Sequence, residues 1–191
     1  MLINTLKMIL ALILKTVYFC LPAYLANMAP VLVAKPKLFE FINIPLDLGK
    51  TWQGQPIFGK GKTWRGIIMG TIIAMAVAAI QSLLYRYEPI QQISVVNFYE
   101  VNFLWFGLLA GLGAMLGDLI KSFFKRRIGI GSGKSWPVAD QLDFVIGFIL
   151  FTYWLVHPTW IVIGAAAILT LVLHPLTNII GYALKIKKVW W

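Results

Sequence analysis

Acidic residues are scarce in this chain, seven Asp and Glu against 17 Lys and Arg in 191 residues. Charge of either sign is scarce too, at 13% of residues against the roughly 25% usual in soluble domains. Cysteine occurs once, as Cys20, and histidine twice, as His157 and His174. A single cysteine excludes an intramolecular disulfide and a thiolate metal cluster within one chain, and Cys20 reads as small apolar packing. No Ser-His-Asp set, HExxH string or paired-glutamate pattern is available, so hydrolytic chemistry lacks its usual machinery. No fixed-period repeat, low-complexity tract or pair of matching halves is visible, which argues against solenoids and inverted-repeat transporters.

What the chain has instead is hydrocarbon, with 60% hydrophobic residues and a mean hydropathy of +0.80. Five stretches, near residues 2–29, 66–85, 103–124, 138–156 and 159–184, are apolar over the about 20 helical residues that cross a bilayer core. The expectation is an all-α integral membrane protein, one domain over residues 1–191 built as a bundle of about five transmembrane helices. The N-terminal run starts like a signal peptide but continues to about Ala29 without a convincing cleavage site, so it reads as a retained span. Lys7 and Lys15 can snorkel from it, and Pro22 and Pro175 predict kinks in the first and last spans.

Net charge of +10 would suggest nucleic acid in a soluble protein, but in a membrane protein Lys and Arg first report orientation, so no nucleic-acid partner is expected. Fourteen of the 17 basic residues fall at one end of the spans, in the loops near 30–65 and 125–137, in the C-terminal tail and at Lys121 near the end of the third span. The excess of positive charge on cytoplasmic loops then predicts a multi-pass protein of the cell membrane with both basic loops and the C-terminus in the cytoplasm and the N-terminus outside.

Three of the seven acids, Asp118, Asp140 and Asp143, gather at the basic end of the third and fourth spans. Carboxylates near hydrocarbon are costly unless paired, hydrated or metal-bound, which makes these acids functional candidates. Asp118, Lys121, Ser122 and Lys125 are spaced i, i+3, i+4, i+7 and share one helix face. An intrahelical Asp118–Lys121 pair is the alternative reading. Gly107, Gly111, Gly113 and Gly117 just upstream would let another backbone or a ligand approach that helix closely.

The segment from Gly129 to Asp143 joins a Gly-rich loop to a helix start, with Ser135 or Trp136 as the expected N-cap, Pro137 in the first turn and Asp140 and Asp143 one turn apart. Gly131-Ser132-Gly133-Lys134-Ser135 lacks the first Walker glycine and a preceding strand, so it is no P-loop, although its amides and Lys134 can contact phosphate. Favourable charge at a helix N-terminus is one account of the two acids. A divalent-cation site completed by Asp118 is the other, and magnesium, which takes one or two carboxylates plus water and substrate phosphate, suits it. Gly59-Lys60-Gly61-Lys62-Thr63-Trp64-Arg65-Gly66 enters the second span from the same end. Alone it reads as a basic anchor with an interfacial Trp64, and with Lys121 and Lys125 it makes a clamp for a triphosphate. His157 and His174 lie far along the chain from the acids and receive no catalytic role.

These motifs, Pro56 through Gly66, Gly117-Asp118 through Lys125-Arg126, and Trp136-Pro137 through Asp140-Gln141-Leu142-Asp143, resemble those of the archaeal CDP-archaeol synthases, and the five-span layout agrees along essentially the whole chain. A more distant similarity is to the CDP-diacylglycerol synthases, from which the chain departs in lacking His-Gly-Gly and in having Gln141 after the first aspartate. Ser135 stands where a proline is expected before Trp136. The resemblance implies a cytidylyltransferase that joins CTP to 2,3-bis-O-geranylgeranylglycerol 1-phosphate, an isoprenoid ether-lipid phosphate, with release of pyrophosphate. It implies Mg²⁺ on Asp118 and Asp143, with Asp140 holding a second ion or orienting the others. Lys60, Lys62, Thr63, Arg65, Lys121, Ser122, Lys125 and Lys134 would take the phosphates, with the three aspartates, Lys121 and Lys125 as the catalytic set. The Asp-x-x-Asp-Gly-x-x-Ala-Arg string of the CDP-alcohol phosphotransferases is missing. A small transporter or channel is the alternative from another class, and it would place polar groups along a path through mid-bilayer.

Overall fold

The computed structural model describes residues 2–34, 38–185 and 189, so Lys35, Lys37, Lys187 and Lys188 of the basic-charge count lie outside the described residues. Among the described residues, five helices are long and apolar enough to cross a membrane: α1 (Leu2–Ala34), α2 (Trp64–Leu84), α4 (Phe103–Arg127), α5 (Ala139–Val156) and α6 (Trp160–Ala183). The short α3 (Glu88–Ile93) lies in the connection between α2 and α4, where the sequence predicts only a loop. The first connection is also more structured than expected, with a 3₁₀ turn at Glu40–Ile42 and a two-stranded antiparallel hairpin, β1 (Thr51–Trp52) and β2 (Gln55–Pro56).

Four helix ends differ from the sequence expectation. Helix α1 runs past residue 29 to Ala34, with Pro22 and Pro30 both inside it. The Ala26 carbonyl, which lies four residues before Pro30 and so loses its helical donor, faces Gly70 of α2, and the Pro30 ring covers Gly66. At 33 residues α1 is about 50 Å long, well beyond the roughly 30 Å of hydrocarbon. Helix α2 begins two residues early because Thr63 caps it, its hydroxyl oxygen accepting from the Gly66 N–H at 3.2 Å. Helix α4 continues through Lys125, Arg126 and Arg127, which are therefore helical and not loop residues.

The largest correction is at the start of α5. Neither Ser135 nor Trp136 is the N-cap, and Pro137 is outside the helix; Val138 holds that position with φ of 68°. A valine has no polar atom to cap with, so neighbouring side chains do it. Gln141 Oε1 accepts the Val138 N–H at 3.2 Å, and Asp140 Oδ2 accepts the Trp136 N–H at 2.6 Å.

The core is built mostly of small residues at the helix crossings and four buried phenylalanines. Phe19 of α1, Phe106 of α4 and Phe144 and Phe148 of α5 are each at most 1% exposed, with the Phe19 and Phe148 rings 4.8 Å apart. Small residues replace side chains where helices meet, as expected when lipid supplies no hydrophobic drive and close packing must. Gly107 and Gly111 of α4 lie against α2, where an added Cβ would come within 2.6 Å of the Met75 and Thr71 Cα atoms. On the other side of α4, Gly113 and Gly117 meet Gly147 and the Asp143 carbonyl of α5, where an added Cβ would overlap backbone. These contacts bring α4 and α5 into backbone touch at the level of the acids. Cys20 is fully buried, as its apolar reading requires.

Candidate active site

The C-terminal end of α4 and the N-terminal end of α5 meet beside the loop that leads into α2. All three aspartates singled out from the sequence converge there on one ammonium group. Lys121 Nζ lies 3.2 Å from Asp118 Oδ1, 2.6 Å from Asp140 Oδ1 and 2.9 Å from Asp143 Oδ2. Asp118 also pairs with Lys62 from the loop, and Lys125 Nζ reaches both Asp140 oxygens at 2.9 and 2.8 Å. The three carboxylates thus face three lysines, a balanced set that makes their placement next to hydrocarbon tolerable.

The acids are not held equally. Asp140 has two lysines and the Trp136 N–H. Asp118 has Lys62 and Lys121. Asp143, 8% exposed, has among the described residues only Lys121 for a counter-charge; its Oδ1 accepts the Phe144 N–H at 2.6 Å, while its Oδ2 is buried without a well-aligned hydrogen bond. Among the described residues, no three carboxylate, imidazole or thiolate groups are arranged to hold one metal ion together. The donor set nonetheless suits magnesium, which needs only one or two carboxylate oxygens from protein, and Asp143 Oδ2, buried and facing the Lys121 ammonium, provides one near Asp118.

A cavity of about 330 Å³ opens over this cluster. Lys62, Thr63, Asp118, Lys121, Ser122, Lys125, Lys134 and Asp140 of the sequence-derived set line it. Ser122 is tied down by donating from Oγ to the Asp118 carbonyl at 2.8 Å, and Thr63 by its capping role. Two expected phosphate ligands stand elsewhere. Lys60 is exposed and outside the cavity wall. Arg65 is buried and turns away, donating from Nη1 to Glu40 Oε2 at 2.5 Å and to the Leu38 carbonyl at 3.3 Å, so that it anchors the 3₁₀ turn.

The loop that presents Lys62 is fixed from below. The Asp47 carboxylate accepts N–H groups of Phe58 and Gly59 at 3.0 and 2.9 Å and of Gly49 at 3.1 Å. Burial opposes its ionisation, but these backbone donors outweigh that and hold its carboxyl below the usual range. The Leu46 N–H donates to the Lys62 carbonyl at 2.9 Å and the Trp64 N–H to Ile44 at 3.0 Å, a bridge that sets the Lys62 side chain over Asp118. Arg127, one turn beyond the site, donates to the carbonyls of Trp52 at 2.7 Å and Pro56 at 2.6 Å and stacks over the Trp52 and Phe123 rings. It clamps the hairpin to α4.

Several wall residues were not found from the sequence. Arg126, 6% exposed, lines the cavity and donates to the Ile130 carbonyl. Asn27, His174 and Asn178 enter the wall from α1 and α6, so His174, set aside on sequence distance, stands at the cavity after all. Polar residues within apolar runs were the available signal. On the other side of the α4–α5 seam lies an apolar groove of about 570 Å³, lined by Ile120, Phe124, Val138, Leu142, Ile146 and Leu150 among others. Lys121 is the residue common to the walls of the polar cavity and the groove, and Asp143 borders the groove.

Comparison with known proteins agrees with this architecture. The CarS-like family model, described as CDP-archaeol synthase, matches residues 9–191. The CDP-archaeol synthase of Methanopyrus kandleri is 42% identical over 182 residues, covering 93% of this chain and 92% of its own length. That of Pyrococcus furiosus is 36% identical over 184 residues, covering 94% and 98%. A solved structure of an intramembrane enzyme for archaeal membrane lipids biosynthesis superposes with a TM-score of 0.70 at 30% identity, covering 87% of this chain and 94% of the other. By sequence along nearly its whole length, and by fold, this chain belongs to the CDP-archaeol synthase family.

Proposed function

We propose that this protein transfers a cytidylyl group from CTP to an archaeal ether-lipid phosphate, 2,3-bis-O-geranylgeranylglycerol 1-phosphate, at the cytoplasmic face of the membrane, with Mg²⁺ as cofactor. Family membership supports the reaction class. The observation that carries the substrate assignment is the junction of a polar, lysine-rich cavity with an apolar groove at Lys121. A water-soluble triphosphate suits the first and isoprenoid chains the second, and their phosphates would meet between them.

The lipid phosphate is already an anionic nucleophile, so no general base is needed. Its oxygen attacks the α-phosphorus of CTP, the bond to the β-phosphate oxygen breaks, and pyrophosphate leaves. Catalysis of this kind rests on alignment and on neutralising charge. Lys62, Lys125 and Lys134 line the cavity where the triphosphate would lie, and Lys121 borders both substrates. Asp118 and Asp143 would hold Mg²⁺, which when bound neutralises and polarises the nucleotide phosphates. Asp140 keeps Lys121 and Lys125 in place. The concentration of basic residues at this end favours a cytoplasmic location, where CTP is made available.

The test is pyrophosphate release by the purified protein in detergent with CTP, Mg²⁺ and the geranylgeranylated glycerol 1-phosphate lipid, with mass-spectrometric identification of the product. Lipid-dependent and EDTA-sensitive release with a CDP-lipid product is expected. A folded protein that releases no pyrophosphate with any ether- or ester-linked lipid phosphate would overturn the reading.

A further inference from the structure

The three aspartates share an ammonium group that stands where a divalent cation would have to go. A cation that bound Asp118 and Asp143 would take oxygens now directed at Lys121 Nζ, which lies 3.2 and 2.9 Å from them. The other partners do not compete in the same way. Lys125 and the Trp136 N–H hold Asp140 independently, and Lys62 approaches Asp118 through the other oxygen, Oδ2. Among the described residues Asp143 has no counter-charge but Lys121.

Building on the proposed Mg²⁺ dependence, we infer that Lys121 is an exchangeable counter-ion, which neutralises Asp118 and Asp143 before substrate arrives and moves onto substrate phosphate when a divalent cation takes those carboxylates. Its position allows the move, because Lys121 borders both the polar cavity and the apolar groove, and an ammonium on a four-carbon stem can swing between acceptors. Charge balance gives the move a direction. The three carboxylates are already matched by three lysines, with Arg126 a further cation in the same wall, so a divalent cation entering alone creates a surplus of positive charge in a poorly solvated place. A nucleotide triphosphate entering with it removes the surplus and gives Lys121 a new partner. The exchange therefore makes cation and nucleotide bind together and keeps the empty site from accumulating metal. Lys121 acts here as a positioning and specificity residue for the ligand pair.

The test is Mn²⁺ binding, followed by the electron paramagnetic resonance of free Mn²⁺, to purified protein in detergent without nucleotide, comparing wild type, Lys121→Met and Lys121→Arg. Removing the competing charge should tighten Mn²⁺ binding by on the order of tenfold in Lys121→Met, whereas Lys121→Arg, which keeps a competing cation, should stay close to wild type. Binding of a non-hydrolysable CTP analogue should weaken in Lys121→Met, a change opposite in sign to the metal effect and not expected of a residue that merely supports the fold. Should Lys121→Met fold poorly without metal, its thermal midpoint should rise more with Mg²⁺ than that of wild type. Equal or weaker Mn²⁺ binding and an equal or smaller thermal response in Lys121→Met would overturn the exchange while leaving the cofactor reading in place. If neither wild type nor Lys121→Met binds Mn²⁺ at all, with or without the analogue, both readings fall.

Discussion

Lys60 and Lys62 are two residues apart in one basic motif, yet their surroundings differ completely. Lys62 is over Asp118 in the cavity wall, and Lys60 is in solvent. A charged hydrogen bond to a phosphate is worth roughly 1.5–3 kcal/mol, which corresponds to about ten- to a hundredfold in kcat/KM. Lys62→Ala should therefore lower kcat/KM for CTP by that factor, and Lys60→Ala by less than about threefold, the range of a surface charge. Steady-state kinetics on the two variants separates them, and similar losses in both would mean that the loop closes further over substrate. The residue-scale pattern was partly legible in the sequence. The spacing of Asp118, Lys121, Ser122 and Lys125 defines one helix face, and that face forms the cavity wall. Arg65 was not legible, because its partner Glu40 lies 25 residues earlier in a loop whose path no helical or strand periodicity predicts.

At the scale of elements, the long apolar runs located the five spans because hydrocarbon demands continuous helix. Their ends were less legible because they depend on tertiary partners. Lys125 to Arg127 stay helical where Asp140, the Ile130 carbonyl and the hairpin carbonyls receive their charges, and α5 starts late because Gln141 and Asp140 cap it from within. The glycines of α4 carried the stronger signal, and they now have a stated role at the crossing with α5. Gly117→Ala would put a methyl group into the Asp143 carbonyl, whereas Gly164→Ala in α6 meets nothing within 4 Å. The first should cost about 1–3 kcal/mol, the usual range for overpacking, and separate Asp143 from Asp118, with a large loss of kcat. The second should leave both stability and turnover at wild-type values. Thermal melts and turnover numbers on the pair check this, and a fully active Gly117→Ala would show that the site tolerates a wider seam.

For the whole molecule, the proposed cytoplasmic placement of the site predicts a labelling pattern. Cys20 is fully buried and so a silent background for labelling. Ser132 at the cavity rim and Tyr99 in the connection at the other end of the bundle are both exposed. With a membrane-impermeant maleimide on intact cells, Tyr99→Cys should be labelled and Ser132→Cys should react only after permeabilisation. The reverse pattern would invert the orientation.

The glycine seam has one more consequence, which is mechanical. Where side chains separate two helices, rotamers can yield and the helices can shift against one another. Between Gly113, Gly117 and Gly147 there is only backbone, and backbone in contact with backbone has no soft degree of freedom. Helices α4 and α5 therefore behave as one stiff strut. A bilayer that thins, thickens or tilts them moves Asp118 and Asp143 as a single piece, so the spacing of the two carboxylates is referenced to each other and not to the membrane around them.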